Sequence, residues 1–130
     1  MLKGEKEQMV FLKALFNNFF YGDFIKNNKQ IIEYYVNRGM ELPKEHLAAF
    51  YNAIAHRKDY NHLIANTTIP IHWILGTHDT AVTLDSAIKE VSLPQVSCVS
   101  ILENCGHCAM EEMPDELSIR IISFLNKFSN

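Results

Sequence analysis

Two short segments carry the residue types that acid–base chemistry needs. One reads Gly76-Thr77-His78-Asp79-Thr80, the other Asn104-Cys105-Gly106-His107-Cys108. Each follows a run whose composition reads as a strand. In open α/β sheets reactive groups collect at the carboxyl ends of strands. Asp79 and His107 lie 28 positions apart, which leaves room for one helix and one strand between them. Two loops spaced in this way can meet in space. A carboxylate bonded to one imidazole nitrogen sets the tautomer and stabilises the imidazolium, and the other nitrogen is then able to take a proton from a nucleophile. Asp79 and His107 are therefore the candidate catalytic residues, with Asp85 as the alternative acid. The plainer roles are a turn aspartate that caps the next helix and a loop histidine packed against the last helix.

The second loop admits a different chemistry. Cys105-Gly106-His107-Cys108 is a C-x-x-C whose central pair is that of the protein disulfide isomerases, so a thiol-disulfide oxidoreductase is an alternative. Its context is unfavourable. Only 22 residues follow Cys108, enough for one helix, whereas a thioredoxin-like fold needs further strands and a cis-proline loop. Asn104 rather than a tryptophan precedes Cys105, and Pro114 falls where that fold wants an uninterrupted helix start. His46, His56, His62 and His72 lack metal-ligand spacing, so no metal and no cofactor are expected. His78 reads as a solvent-facing neighbour of Asp79, and Cys98 as a small buried strand residue.

Before residue 65 the periodicity is helical. Leu12, Leu15, Phe16, Phe19 and Phe20 make a stripe at helix spacing, so residues 5–21 read as a helix broken by Gly22-Asp23. The Phe16, Phe19, Phe20 and Tyr21 cluster reads as helix core; in a lid, part of it would line an apolar pocket. Asn28 can cap a second helix with Ile31, Ile32, Tyr35 and Val36 apolar, ending at Gly39. Pro43 suits the first turn of a third, whose buried face would be Leu47, Phe50, Tyr51 and Ile54. After residue 65 the pattern becomes strand–helix–strand–helix. Ile69 to Leu75 is β-branched and aromatic and reads as a strand buried on both faces. Residues 84–91 suit a short helix. Val96 to Leu102 alternates, with Cys98, Ser100 and Leu102 on one side and Ser97, Val99 and Ile101 on the other, as in an edge strand. Pro114 and Asp115 open a last helix with a stripe of Leu117, Ile121, Phe124, Leu125 and Phe128. Strand, crossover and strand imply parallel pairing. Two strands make a poor sheet, so the pattern belongs to a larger α/β sheet.

Composition sets the outer limits. The 130 residues fit one domain, and 48% apolar with 21% charged excludes a disordered chain. A net charge of −3 without any basic run speaks against a nucleic-acid partner. No apolar stretch approaches the ~20 residues of a membrane span. The first residues are polar and acidic where an export signal would be apolar, and three cysteines suggest no disulfide framework, so a cytoplasmic setting is expected.

Taken together, residues 59–128 resemble the C-terminal part of an α/β-hydrolase. Ile69-Pro70, the apolar strand and Gly76-x-x-Asp79 resemble the strand and loop that carry that family's acid. Gly106-His107, followed by Glu111-Glu112-Met113-Pro114 and an amphipathic helix, resembles the strand end that carries its histidine. Asp59-Tyr60-Asn61-His62-Leu63-Ile64 resembles the segment leading out of a helical cap. The resemblance implies a partial α/β-hydrolase fold, with a helical cap over residues 1–65 and a β-α-β-α part of the core over residues 66–130. It implies a Ser-His-Asp mechanism on small, fairly apolar acyl substrates. The sequence departs from the family in one respect: it contains no G-x-S-x-G elbow for the nucleophile. The expectation is a portion of a hydrolase, inactive by itself, which pairs with an N-terminal portion or self-associates through its sheet edge. The alternative from the same fold is a non-catalytic binding or partner module.

Overall fold

The computed structural model describes residues 4–129. Two compact units form. Among the described residues one comprises 4–18 together with Gly22–Asp59, and the other comprises Phe19–Tyr21, the first of which is the last residue of the first helix, together with 60–129.

The first unit is helical: α1 (Glu5–Phe19), α2 (Gly22–Asn27), α3 (Lys29–Met40) and α4 (Lys44–Ala55). Leu12 of α1 is buried against Gly39 of α3, where a Cβ would lie 2.8 Å from Leu12 Cδ1. Gly39 thus serves close helix packing, and α3 runs one residue beyond it instead of ending there. Buried Gln8 donates from Nε2 to the carbonyls of Gly39 and Leu42, both at 3.2 Å, and so ties α1 to the end of α3 and the turn after it. Two expectations need correction. Asn28 sits at the N-cap of α3, but its side chain donates back to the Phe24 carbonyl at 3.0 Å and caps nothing. Of the face expected to be buried on α4, only Leu47 is; Phe50, Tyr51 and Ile54 are exposed. An apolar stripe is buried only where an apolar surface faces it; on this face the Phe11 ring lies edge-on to Tyr51, with centroids 5.2 Å apart, and still leaves Tyr51 exposed.

The second unit carries α5 (Asn61–Asn66), β1 (Ile71–Gly76), α6 (Leu84–Val91), β2 (Ser97–Leu102), α7 (Ala109–Glu112) and α8 (Pro114–Phe128). The strand–helix–strand–helix order holds, with the short helices α5 and α7 added. β1 starts after Pro70, which has no N–H for the ladder. It pairs in parallel with β2, from Ile71 opposite Ser97 to Gly76 opposite Leu102. The Thr83 side chain accepts from Ser86 N–H at 3.2 Å and starts α6, and Pro114 occupies the first turn of α8.

β2 shows the expected alternation, with Leu102 buried and Val99 and Ile101 exposed, although Cys98 is only half-buried. β1 is not buried on both faces: Ile71 to Leu75 are half-buried. On α8, Leu117 and Phe124 are half-buried while Ile121, Leu125 and Phe128 are exposed. The cause is common to all three. The described residues form a two-stranded sheet, so each strand has one neighbour and each face is too narrow to cover a helix. None of the described helices is long and apolar enough to cross a membrane.

Candidate active site

The register brings both loops out of the sheet side by side. The ladder continues one step past the strands, with Thr77 N–H donating to the Leu102 carbonyl at 3.0 Å and His78 N–H to the Cys105 carbonyl at 2.8 Å. Thr77 Oγ1 accepts from Asn104 N–H at 2.9 Å. Asn104 turns the second loop with a φ of 57°, a left-handed conformation that asparagine tolerates. The two loops approach so closely that a Cβ on Gly76 would stand 2.3 Å from the Gly106 carbonyl oxygen and 2.4 Å from that of Cys105. Any side chain at position 76 would push the loops apart.

Asp79 and His107 meet. His107 Nδ1 and Asp79 Oδ2 are 2.8 Å apart. The other oxygen, Oδ1, accepts from the N–H groups of Ala81 and Val82, both at 2.8 Å. One carboxylate oxygen therefore meets the imidazole and the other holds the turn. It caps a turn rather than α6, whose cap is Thr83. Its side chain is 9% exposed and that of His107 39%, so the acid is sheltered while the imidazole still reaches solvent. With Nδ1–H given to the carboxylate, Nε2 is the nitrogen left to exchange a proton. Asp85 sits in the first turn of α6, and Asp79 is the carboxylate that His107 bonds. His78 is exposed as expected, yet its ring stacks on Tyr21 with centroids 4.1 Å apart. An open depression of about 430 Å³ borders the acid, lined by Thr77, His78, Asp79, Thr80, Leu84 and Asp85 among others.

The histidine loop is held by groups that periodicity and spacing did not assign to it. His107 N–H donates to the Phe19 carbonyl at 2.7 Å, and the Phe19 ring centroid lies 5.1 Å from that of the imidazole. A Cβ on Gly106 would lie 2.8 Å from both the Phe19 carbonyl oxygen and the Tyr21 nitrogen, so the glycine lets residues 19–21 pass. Glu112 closes the arrangement. Its carboxylate accepts from Gly106 N–H (3.0 Å to Oε1, 3.1 Å to Oε2) and from Tyr21 N–H (2.7 Å to Oε2). The acidic pair before Pro114 was visible in the sequence, but only the phase of the single turn α7 decides that Glu112 points inward.

Cys105 is fully buried, and burial followed by the nearby Glu112 carboxylate pushes its thiol up to about 12. Burial and Glu112 raise Cys108 to about 11. Both thiols are free. A thiol-disulfide oxidoreductase needs a thiol held below its ordinary value, and this loop does the opposite. Among the described residues no group of three His, Cys, Asp or Glu could hold a metal ion.

No protein-family model and no curated protein sequence matches the chain. Solved structures do. An esterase from Thermogutta terrifontis is similar over 91% of this chain and 43% of its own, with a TM-score of 0.81 and 19% identity. The enol-lactonase from Burkholderia xenovorans is similar over 93% of this chain and 46% of its own, with a TM-score of 0.82 and 19% identity. An α/β hydrolase from a Medee basin deep-sea metagenome is similar over 94% of this chain and 50% of its own, with a TM-score of 0.62 and 14% identity. The fold is thus part of the α/β-hydrolase fold, and the chain spans a little under half the length of the esterase and lactonase that share it.

Proposed function

We propose that this chain supplies the acid and the base of a Ser-His-Asp hydrolase acting on small esters, lactones or related acyl compounds, with the helical unit as its cap portion. The observation that carries the reading is the 2.8 Å contact between Asp79 and His107 at the ends of adjacent parallel strands. The esterase and the lactonase among the structural neighbours support the substrate class. In the proposed reaction a serine outside this chain attacks the acyl carbonyl. His107 Nε2 takes the serine proton and returns it to the departing alkoxide. In the second half it deprotonates water and reprotonates the serine. Asp79 keeps Nδ1 protonated and offsets the imidazolium charge as it forms. The partner is the portion of sheet that bears the nucleophile and the oxyanion donors.

The reading is tested through the coding sequence next to this chain. A strand–G-x-S-x-G–helix segment is expected there, and a product spanning both parts is expected to hydrolyse p-nitrophenyl acetate. In it, His107→Ala and Asp79→Asn should each lower kcat by about 10³-fold or more. This chain alone should give only the background rate. Hydrolysis that survives His107→Ala, or no nucleophile segment at all, overturns the reading.

A further inference from the structure

Glu112 is a carboxylate that the proposed proton transfers do not use, yet it is spent on backbone. It sits at the end of α7, a single turn between the histidine loop and α8. From there it grips two chain segments that are 85 residues apart in the sequence, Tyr21 and Gly106. Both gripped groups adjoin the imidazole: Gly106 directly precedes His107, and Phe19, two residues before Tyr21, accepts the His107 N–H at 2.7 Å. His107 is thus held by its own backbone N–H, by the peptide before it and by the Phe19 ring against its imidazole, and the Glu112 carboxylate closes this ring of contacts.

We infer that Glu112 is a positioning residue for His107. By clipping the Phe19–Tyr21 segment onto the Gly106 peptide it keeps Nδ1 aimed at Asp79. Its catalytic meaning rests on the hydrolase reading above, but its geometry does not. A carboxylate suits the task because one oxygen can accept from both N–H groups at once, and an ionised acceptor makes shorter, stronger bonds than a neutral one. Alanine removes both bonds and leaves two N–H groups without this acceptor. Aspartate is one methylene too short to reach both. Glutamine with its oxygen at the position of Oε2 keeps the acceptor for Tyr21 N–H, but turns its amide NH2 towards the Gly106 N–H that Oε1 accepts at 3.0 Å, so it replaces the grip only in part.

The test is ¹⁵N and ¹H NMR of this chain, in whatever assembly it forms, reading the His107 Nδ1–H proton and its exchange with water. Asp79→Asn identifies the signal by removing it. In Glu112→Ala exchange should quicken by about tenfold or more, whereas Glu112→Gln, which keeps the Tyr21 bond, should quicken clearly less than alanine. Unchanged amide shifts of Ser97–Leu102 establish that the sheet persists. If Glu112→Ala does not fold, Glu112→Asp decides by the same signal, with an acceleration of at least about threefold expected. An unchanged exchange rate in a folded Glu112→Ala or Glu112→Asp overturns the inference, as does a Glu112→Gln that accelerates as much as alanine. Failure here would leave the p-nitrophenyl acetate assay unaffected, and failure of that assay would leave this signal unaffected.

Discussion

The loops at the ends of β1 and β2 and the flanks of the same two strands are built to opposite standards. In the loops the backbone is closely fitted: Gly76 and Gly106 have no room for a Cβ, both Asp79 oxygens are engaged, and Glu112 takes two N–H groups. On the flanks Val99 and Ile101 of β2 and Ile119, Ile122 and Leu125 of α8 are exposed, and among the described residues each strand keeps an unpaired edge. Short-range hydrogen bonds and steric fit shape a loop from a few neighbouring segments. A sheet face needs several strands and a covering layer. Loop geometry can therefore be closely defined where the hydrophobic core is not.

The sharpest way to break this contrast is to ask whether the flanks stay open in solution. Leaving ~300 Å² of apolar surface in water costs roughly 7 kcal/mol at about 25 cal/mol per Å², comparable with the whole stability of a small domain. Unpaired strand edges add acceptors and donors for another strand. The isolated chain is therefore expected to self-associate or to require a partner. Sedimentation at micromolar concentration checks this, and a single compact species near 15.0 kDa with a cooperative melt would remove the contrast.

A smaller but sharper effect is expected inside the loops. Gly76→Ala sets a methyl against two carbonyl oxygens of backbone that cannot swing aside, and should cost about 3 kcal/mol or more. Gly22→Ala, at the start of α2 with open space around it, should change stability by less than about 1 kcal/mol and in the stabilising direction. Urea denaturation of the two variants compares them. Equal effects would mean that the loops are no tighter than the helical surface.

At neutral pH the smallest effect on stability comes from the thiols. Cys105 and Cys108 are raised to about 12 and about 11 in the folded chain, against 9.0 for an ordinary thiol. Between those values the unfolded chain has released protons that the folded chain still holds. Stability is therefore unaffected by these groups below about pH 9 and is lost progressively as pH rises from there towards 12. Iodoacetamide at pH 8 should modify the two residues about 10²- to 10³-fold more slowly in the folded chain than in urea. Fast labelling of the folded chain at Cys105 would show that the loop opens freely and is less closely fitted than its contacts imply.

Much of the order of elements was legible in the sequence, because strand and helix periods, the stop at Gly76 and the helix start at Pro114 are local properties; the strand read from Ile69 begins only at Ile71, after Pro70. The pairing of Asp79 with His107 was legible too, since parallel strands joined by one helix leave few places for the two loops to go. Burial was not. Phe50 and Ile54 on α4 and Leu125 on α8 lie on well-formed apolar stripes and are nonetheless exposed, because a stripe states a preference and only a facing surface satisfies it. The grip of Glu112 was equally hidden. Glu111 and Glu112 are chemically identical neighbours, and the choice between them, like the passage of residues 19–21 over Gly106, depends on chain segments far apart in sequence that meet only once the tertiary structure has formed.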